Sequence, residues 1–250
     1  MSPATPPRPR GGAGVEPRPS RRSSPAVRRK SHTVFETESE LSGRIRVIED
    51  DVERRLVVAG DTLSVYPLDG NWTRFYTDYW WHALAAVTFP ARPSVLLVGL
   101  GGGTQIHLLR RIVRPRRISA IERDPVIVRV ARDWFGLAGI GGIEFLCDGA
   151  DVVVPSLAAA ERRFDFIMED AAYAEVPERA LPLARALAER VAPAGTLVFN
   201  RHHRSDATQL TKEMRARFEE VTIRRVRREG ENALVICARP RRPGDDASVA

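Results

Sequence analysis

Apolar and polar positions follow two rhythms along the chain, and the change between them falls near Ser94. Before it, "RIRVIED" (44–50), "RRLVVAG" (54–60) and "DTLSVYP" (61–67) alternate or run apolar, with turn signals at Gly60-Asp61 and Asp69-Gly70. That pattern predicts a small antiparallel β unit. The aromatic stretch "NWTRFYTDYWWHALAAVTFP" follows, with a helix expected over about 77–88 and closed by Pro90 and Pro93. From Ser94 onward, continuous apolar runs ("SVLLVGL", "RISAIE", "IEFLCD", "FDFIMED", "GTLVFN") are separated by helical stretches of roughly 10–15 residues, the mark of strands buried on both faces of a parallel sheet. The helix after "RISAIE" has clear ends: Asp124 as N-cap, Pro125 at its first position and Gly136 past its end, with Val126, Val130, Ala131 and Trp134 on one face. "EVTIRRVR" (220–227) and "NALVICAR" (232–239), joined by "REGE", predict an antiparallel hairpin that finishes the sheet.

Charge and composition sharpen the boundaries. All of the net charge of +7 is located in residues 1–30, where eight basic residues face the single acid Glu16; elsewhere acids and bases balance. That Arg/Pro/Ser-rich stretch cannot bury enough apolar surface to order itself, so 1–35 is expected to be a disordered leader. The remaining divisions are a small β unit (36–75), the α/β domain (76–240) and a polar tail (241–250). The basic leader could touch an anionic partner, but the neutral balance of the rest argues against a nucleic-acid enzyme. "RRK" at 28–30 is followed by no apolar segment of an export signal, and no apolar run is long enough to span a membrane, so a cytoplasmic protein is expected. The two cysteines, Cys147 and Cys237, lie in apolar runs and read as buried free thiols.

Candidate chemistry gathers at one edge of the parallel sheet. "GLGGGT" follows the first strand of the alternating block, and Gly99, Gly101, Gly102 and Gly103 give a turn tight enough to bring bare backbone to a ligand at a helix N-terminus. A strand–helix turn without any ligand would look similar. Glu122 ends the next strand, 23 residues after Gly99, where a carboxylate can accept both hydroxyls of a ribose. Asp148, followed by Gly149 in "LCDGA", ends the third strand and can accept from an adenine amino group; Glu169 and Asp170 end the fourth. Each acid alone has a plainer explanation as a helix cap or turn residue. Together they point to a nucleoside ligand. Thr104 replaces the third glycine of a dinucleotide loop, there is no P-loop, and no Cys/His spacing suggests a metal.

At these residues the sequence resembles the spermidine synthase (polyamine aminopropyltransferase) branch of the class I S-adenosylmethionine-dependent methyltransferase fold, over about residues 44–239. "YPLDGNW" (66–72) is similar to the family's "LDG" turn, "VLLVGLGGGT" to its "VLIIGGGDGG", "ISAIERDPVIVRVAR" to its "VEIDPxVVxxA", "FLCDGAD" to its "GDG" segment, "FDFIMED" to its "YDVIIVD" and "VAPAGTLVFN" to its "LxPGGxxV". The resemblance implies a Rossmann-like, mostly parallel seven-stranded sheet with a C-terminal antiparallel hairpin, preceded by a small β unit. It implies S-adenosylmethionine or its decarboxylated form as co-substrate, bound by Gly99, Gly101, Gly102, Gly103, Glu122, Asp148 and Gly149. It also implies Asp170 as the catalytic carboxylate, no metal, a small-molecule acceptor such as a polyamine, and a homodimer.

The departures from the family bear on what is transferred. The loop aspartate that meets the free amine of decarboxylated S-adenosylmethionine is Gly102 here, which makes the intact compound a more plausible ligand. The "D-S-x-D-P" gate reads "D-A-A-Y-A", so its second aspartate is Tyr173, and the glutamine after the "LDG" turn is Thr73. His82, in "WWHAL", matches either the tyrosine or the histidine of the family's "Y-H-E" element. Tyr173, His82 and Glu169 are the acceptor-binding candidates, with Glu175 and Glu178 as further acids that could replace lost anchors. Trp72, Tyr76, Tyr79, Trp80 and Trp81 read as packing between the β unit and the main domain, with an acceptor wall as the alternative. His202, His203 and the arginines of "RRVRR" (224–228) read as surface residues. Three functions stay open: alkyl transfer (methyl or aminopropyl) to an amine or other small acceptor, a non-catalytic nucleoside-binding homologue acting through a partner, and a nucleic-acid methyltransferase.

Overall fold

In the computed structural model, residues 30–171, 177–202, 204–227 and 231–241 are described. Four strands, β1 (His32–Ser39), β2 (Gly43–Glu49), β3 (Glu53–Val58) and β4 (Asp61–Pro67), form an antiparallel sheet in sequential order. The first of them begins at His32, inside the stretch expected to be leader. Val34 and Phe35 rest on the apolar cluster built around Ile45, Val47 and Leu56, and the strand pairs with β2 from His32↔Glu49 to Ser39↔Gly43. Ile45, Val47 and Leu56 are fully buried from this sheet. They pack on Ile127, Val130 and Phe135, so the sheet is docked on the helix that follows Asp124. Each such side chain contributes about 1.5–3 kcal/mol on leaving water, which is what holds the unit in place.

A short helix α1 (Tyr79–Leu84) then leads to β5 (Ser94–Val98). The main domain alternates from there: α2 (Thr104–Ile112), β6 (Arg117–Ile121), α3 (Pro125–Trp134), β7 (Ile143–Leu146), α4 (Ala150–Ala159), β8 (Phe164–Glu169), α5 (Pro177–Ala188), β9 (Val191–Arg201), α6 (Arg204–Met214), β10 (Phe218–Arg227) and β11 (Glu231–Pro240). The seven strands lie in the order β10-β11-β9-β8-β5-β6-β7, with β11 antiparallel to both of its neighbours and every other pair parallel, so that the C-terminal hairpin finishes a parallel sheet as the alternation predicted. β5 is the strand from which the order runs both ways, to β6 on one side and β8 on the other. Open parallel sheets bind ligands outside such a switch point.

Two local expectations hold in detail. Asp124 caps α3 by accepting from Val126 N–H, and Gly136 sits beyond the helix at φ 72°. The buried face of α3 is Ile127, Val128, Val130 and Ala131, while Val126 and Trp134 pack at its margin. One expectation does not hold. Cys237 is buried in β11, but Cys147 is exposed, because β7 is the outermost strand and Cys147 lies just past its end. β10 is the other outer strand, and Arg224 and Arg225 are exposed on it as predicted.

Candidate active site

The ends of β5, β6 and β8 are laced together by backbone hydrogen bonds. Gly99 N–H donates to Ile121 C=O (3.0 Å) and Asp170 N–H to Val98 C=O (2.8 Å). The chain then needs to turn sharply out of β5. Gly99 does so at φ 95°, and a Cβ on it would lie 2.6 Å from the Asp170 carbonyl oxygen. Gly103 caps α2 at φ 82°, against the Leu137 side chain. Gly102 has an ordinary φ, yet its Cβ position is already filled: Phe135 and Ser64 would each be 2.9 Å away. Gly101 is similarly crowded by Ser64 Oγ at 2.6 Å. All four glycines therefore answer to protein neighbours. Gly99→Ala is expected to cost about 2–4 kcal/mol of stability, because strained backbone and a clash with backbone coincide. Chemical unfolding measures it, and a value under 1 kcal/mol would show that the turn can relax.

Glu122 follows β6. One carboxylate oxygen accepts from Asp124 N–H (3.1 Å), the other from Leu100 N–H in the glycine loop (3.3 Å). Burial raises its pKa from the usual range. Asp148 lies past β7, exposed, with Oδ1 accepting from Gly149 N–H (2.7 Å). Asp124 is wholly buried. Its burial alone would raise its pKa, but hydrogen bonds from Ser39 and Ser42 and from Val126 and Ile127 N–H outweigh that and hold it low.

Asp170 is the centre of the remaining geometry. Oδ1 accepts from Asn200 Nδ2 (2.8 Å) at the end of β9, and Oδ2 accepts from Tyr79 Oη (2.8 Å) at the start of α1. Burial pushes its pKa up to about 6, against the opposing effect of those two donors; the negative charge of Glu169 pushes the same way as burial, and His202 opposes it. A carboxylate with one donor on each oxygen is fixed in orientation and keeps lone pairs for a third partner. Burial and the Asp170 charge push the Tyr79 hydroxyl pKa well above its ordinary value, so it remains a donor. Trp80 stacks at a tilt on Tyr79, with ring centroids 4.6 Å apart.

The acceptor-side residues fare differently. Glu169 does not face the site: it is 1% exposed, accepts from Ala171 N–H (3.1 Å) and lies 2.5 Å from Arg201 Nη1 in a buried ion pair. Strand alternation turns it inward where Asp170 turns to the edge. His82 is partly buried in α1, one turn beyond Tyr79, and its carbonyl accepts from Arg224 (3.5 Å). Tyr173 and Glu175 lie outside the described residues, as do His203 and the Glu178 side chain. His202 is exposed, as expected, yet acts electrostatically on Asp170. Tyr79 and Asn200 are the residues that sequence reasoning did not assign to the carboxylate. Tyr79 sat inside an aromatic run that read as packing, and Asn200 ended "VAPAGTLVFN" just past the family's "LxPGGxxV" pattern, which assigns no role to that position. Among the described residues no group of three or more His, Cys, Asp or Glu could hold a metal.

No protein-family model matches the chain. The chain is 42% identical over 78 residues to the zebrafish (Danio rerio) eEF1A lysine and N-terminal methyltransferase, a match covering 31% of this chain and 11% of that protein. It is 28% identical over 107 residues to the polyamine aminopropyltransferase of Vibrio vulnificus, covering 42% of this chain and 36% of that one. The chain thus spans a minor part of the curated relatives it matches. Among solved structures, spermidine synthase in complex with the transition-state analogue AdoDATO superposes with a TM-score of 0.62 at 13% identity, covering 86% of this chain and 74% of that one. Human methyltransferase-like protein 13 in complex with SAH superposes with a TM-score of 0.53 at 23% identity, covering 68% and 83%. The architecture is that of a spermidine synthase-like class I methyltransferase fold, and its relatives and neighbours bear the names of methyl- and aminopropyltransferases.

Proposed function

We propose that the chain is an S-adenosylmethionine-dependent transferase that moves a methyl group to an amine nitrogen, with Asp170 as the base that receives the amine proton. The observation that carries this reading is the Asp170 carboxylate itself. It is half-buried at the sheet edge, held by Tyr79 and Asn200 and set against Gly99 of the cosubstrate loop, with its pKa pushed up to about 6. Such a group is ionised at neutral pH and close enough to the operating range to take a proton from an ammonium.

The residues fit an adenosyl cosubstrate. Glu122, strung between the loop and Asp124, would meet the ribose hydroxyls, and Asp148, exposed at the next strand end, the adenine amino group. The cosubstrate supplies an electrophilic methyl carbon: the N–C bond forms as the C–S bond breaks, and its electron pair goes to sulfur. Asp170 takes the proton and fixes the nitrogen in line, and positioning supplies most of the rate. The relatives' names, one a lysine and N-terminal methyltransferase and one a polyamine aminopropyltransferase, both support an amine acceptor.

Methyl rather than aminopropyl transfer is favoured by Gly102. With Phe135 and Ser64 in its side-chain space, no carboxylate fits there to meet the ammonium that decarboxylated S-adenosylmethionine would present. The overall likeness to spermidine synthase supports aminopropyl transfer as a second reading. Calorimetric titration with S-adenosylmethionine, its decarboxylated form and methylthioadenosine tests both. Tighter binding of the intact compound is expected. Preference for the decarboxylated form would install the second reading, and binding of none would end both. Among the described residues no helix is long and apolar enough to cross a membrane.

A further inference from the structure

The loops at the carboxyl ends of parallel strands are held by the sheet on one side only. In this chain the other side is held by the N-terminal sheet, and by polar contacts separate from the apolar docking on α3. Ser64 Oγ of β4 accepts from Gly102 N–H (2.7 Å) in the glycine loop. Thr104, the first residue of α2, is bound reciprocally to Val65: its Oγ1 accepts from Val65 N–H (3.0 Å) and donates to Val65 C=O (2.8 Å). Ser39, the last residue of β1, donates from Oγ to Asp124 Oδ2 (2.5 Å). Asp124 N–H in turn holds one oxygen of Glu122, and Leu100 N–H of the loop holds the other.

We infer that Ser39 and Ser64 are positioning residues for the cosubstrate, and that the N-terminal sheet is a wall of the cosubstrate site. Ser39 acts through Asp124 on the carboxylate of Glu122; Ser64 acts through Gly102 on the loop. The inference rests on the proposed reading of this edge as an adenosyl site and adds to it the residues that set its geometry. A purely structural role is a weaker account of the same contacts. The sheet already has an apolar anchor in Ile45, Val47 and Leu56, whereas Ser39 and Ser64 reach past that anchor to the two segments that flank Glu122. A buried carboxylate such as Asp124 that lost one donor would shift to recover its hydrogen bonding, and Glu122 moves with it through the Asp124 amide.

The test uses the full chain with Ser39→Ala, Ser64→Ala, the conservative Ser39→Thr, and Leu56→Ala as a packing control. Binding of S-adenosylhomocysteine is measured by calorimetry, with adenosine and 2′,3′-dideoxyadenosine as competitors. The unmodified protein is expected to prefer adenosine, because Glu122 addresses the ribose hydroxyls. Ser39→Ala should shrink that preference by about 3–10-fold, the scale of one lost hydrogen bond, while Ser39→Thr keeps it. Ser64→Ala should weaken S-adenosylhomocysteine by a similar factor without changing the preference. Leu56→Ala should lower the melting temperature and leave the preference intact. An undiminished adenosine preference in Ser39→Ala, with unchanged affinity in Ser64→Ala, overturns the inference alone. Failure of the unmodified protein to bind S-adenosylhomocysteine overturns the site reading, and the inference with it.

Discussion

Asp170→Asn is expected to lower turnover by about 10²- to 10⁴-fold, the usual contribution of a positioned base, and at the same time to make the protein more stable at pH 8. The two effects share one cause. Burial lifts the Asp170 pKa from the ordinary carboxylate range to about 6. Between about pH 4 and 6 the folded protein therefore holds a proton that the unfolded chain has released, so stability falls as pH rises through that window and the loss is complete above it. A shift of two units corresponds to about 3 kcal/mol at most. Asparagine keeps the shape and removes the charge. Asn200 can turn its amide to suit, because its Oδ1 has no protein hydrogen-bond partner and could accept from the new amide. The variant should gain about 1–3 kcal/mol over the unmodified protein at pH 8 and nothing at pH 4. Cosubstrate affinity should be little changed, since Glu122 and the loop are untouched. Unfolding titrations at the two pH values, beside rate measurements, check both halves. Retained turnover would remove Asp170 as the base, and an equal gain at both pH values would remove the charge explanation.

Those residues were unevenly legible in the chain. Apolar runs, capping residues and glycine spacing are local, so the parallel sheet, the α3 caps and the acids at successive strand ends could all be read directly. The strands' common direction then forces Glu122, Asp148 and Asp170 to one edge, and no contact needs to be known for that. β1 was harder: its apolar pair Val34 and Phe35 is short and follows a proline- and arginine-rich stretch, so the strand is recognisable only through its pairing with β2. Contacts between distant segments were not legible. Tyr79 lies 91 residues from Asp170 and Ser39 lies 85 from Asp124, and neither has a motif that marks its partner. The glycine loop shows the opposite risk. Its composition suggests a ligand pressed against bare backbone, yet Ser64, Phe135, Leu137 and the Asp170 carbonyl account for all four glycines. The case for a cosubstrate thus rests on the carboxylates more than on the loop. Glu169 and Asp170 make the same point as neighbours, since alternation sends one into the core and the other to the edge.

That inward turn gives Glu169 and Arg201 the largest expected effect on stability. Their side chains are 2% and 3% exposed, and Arg201 Nη1 lies 2.5 Å from Glu169 Oε2 and donates to Asn200 C=O (2.6 Å). Taking two charges out of water is costly, and their attraction offsets this only while both are present. Arg201→Met leaves the carboxylate buried without its cation and should cost about 3–5 kcal/mol. Glu169→Gln combined with Arg201→Met removes both charges and should recover most of the loss, so that a double-mutant cycle reports a strong coupling. The site registers the same change. Glu169 already pushes the Asp170 pKa upward, so Arg201→Met, by freeing that charge, should move the acid limb of the pH–rate profile above 6. Glu169→Gln should move it below. Urea unfolding of the three variants and their pH–rate profiles decide the matter. An Arg201→Met protein within 1 kcal/mol of the unmodified one would mean that water reaches the pair, and an unmoved acid limb would mean that Glu169 is electrically remote from the base. Both outcomes together would reduce the pair to packing and leave Asp170 tuned by burial, Tyr79 and Asn200 alone.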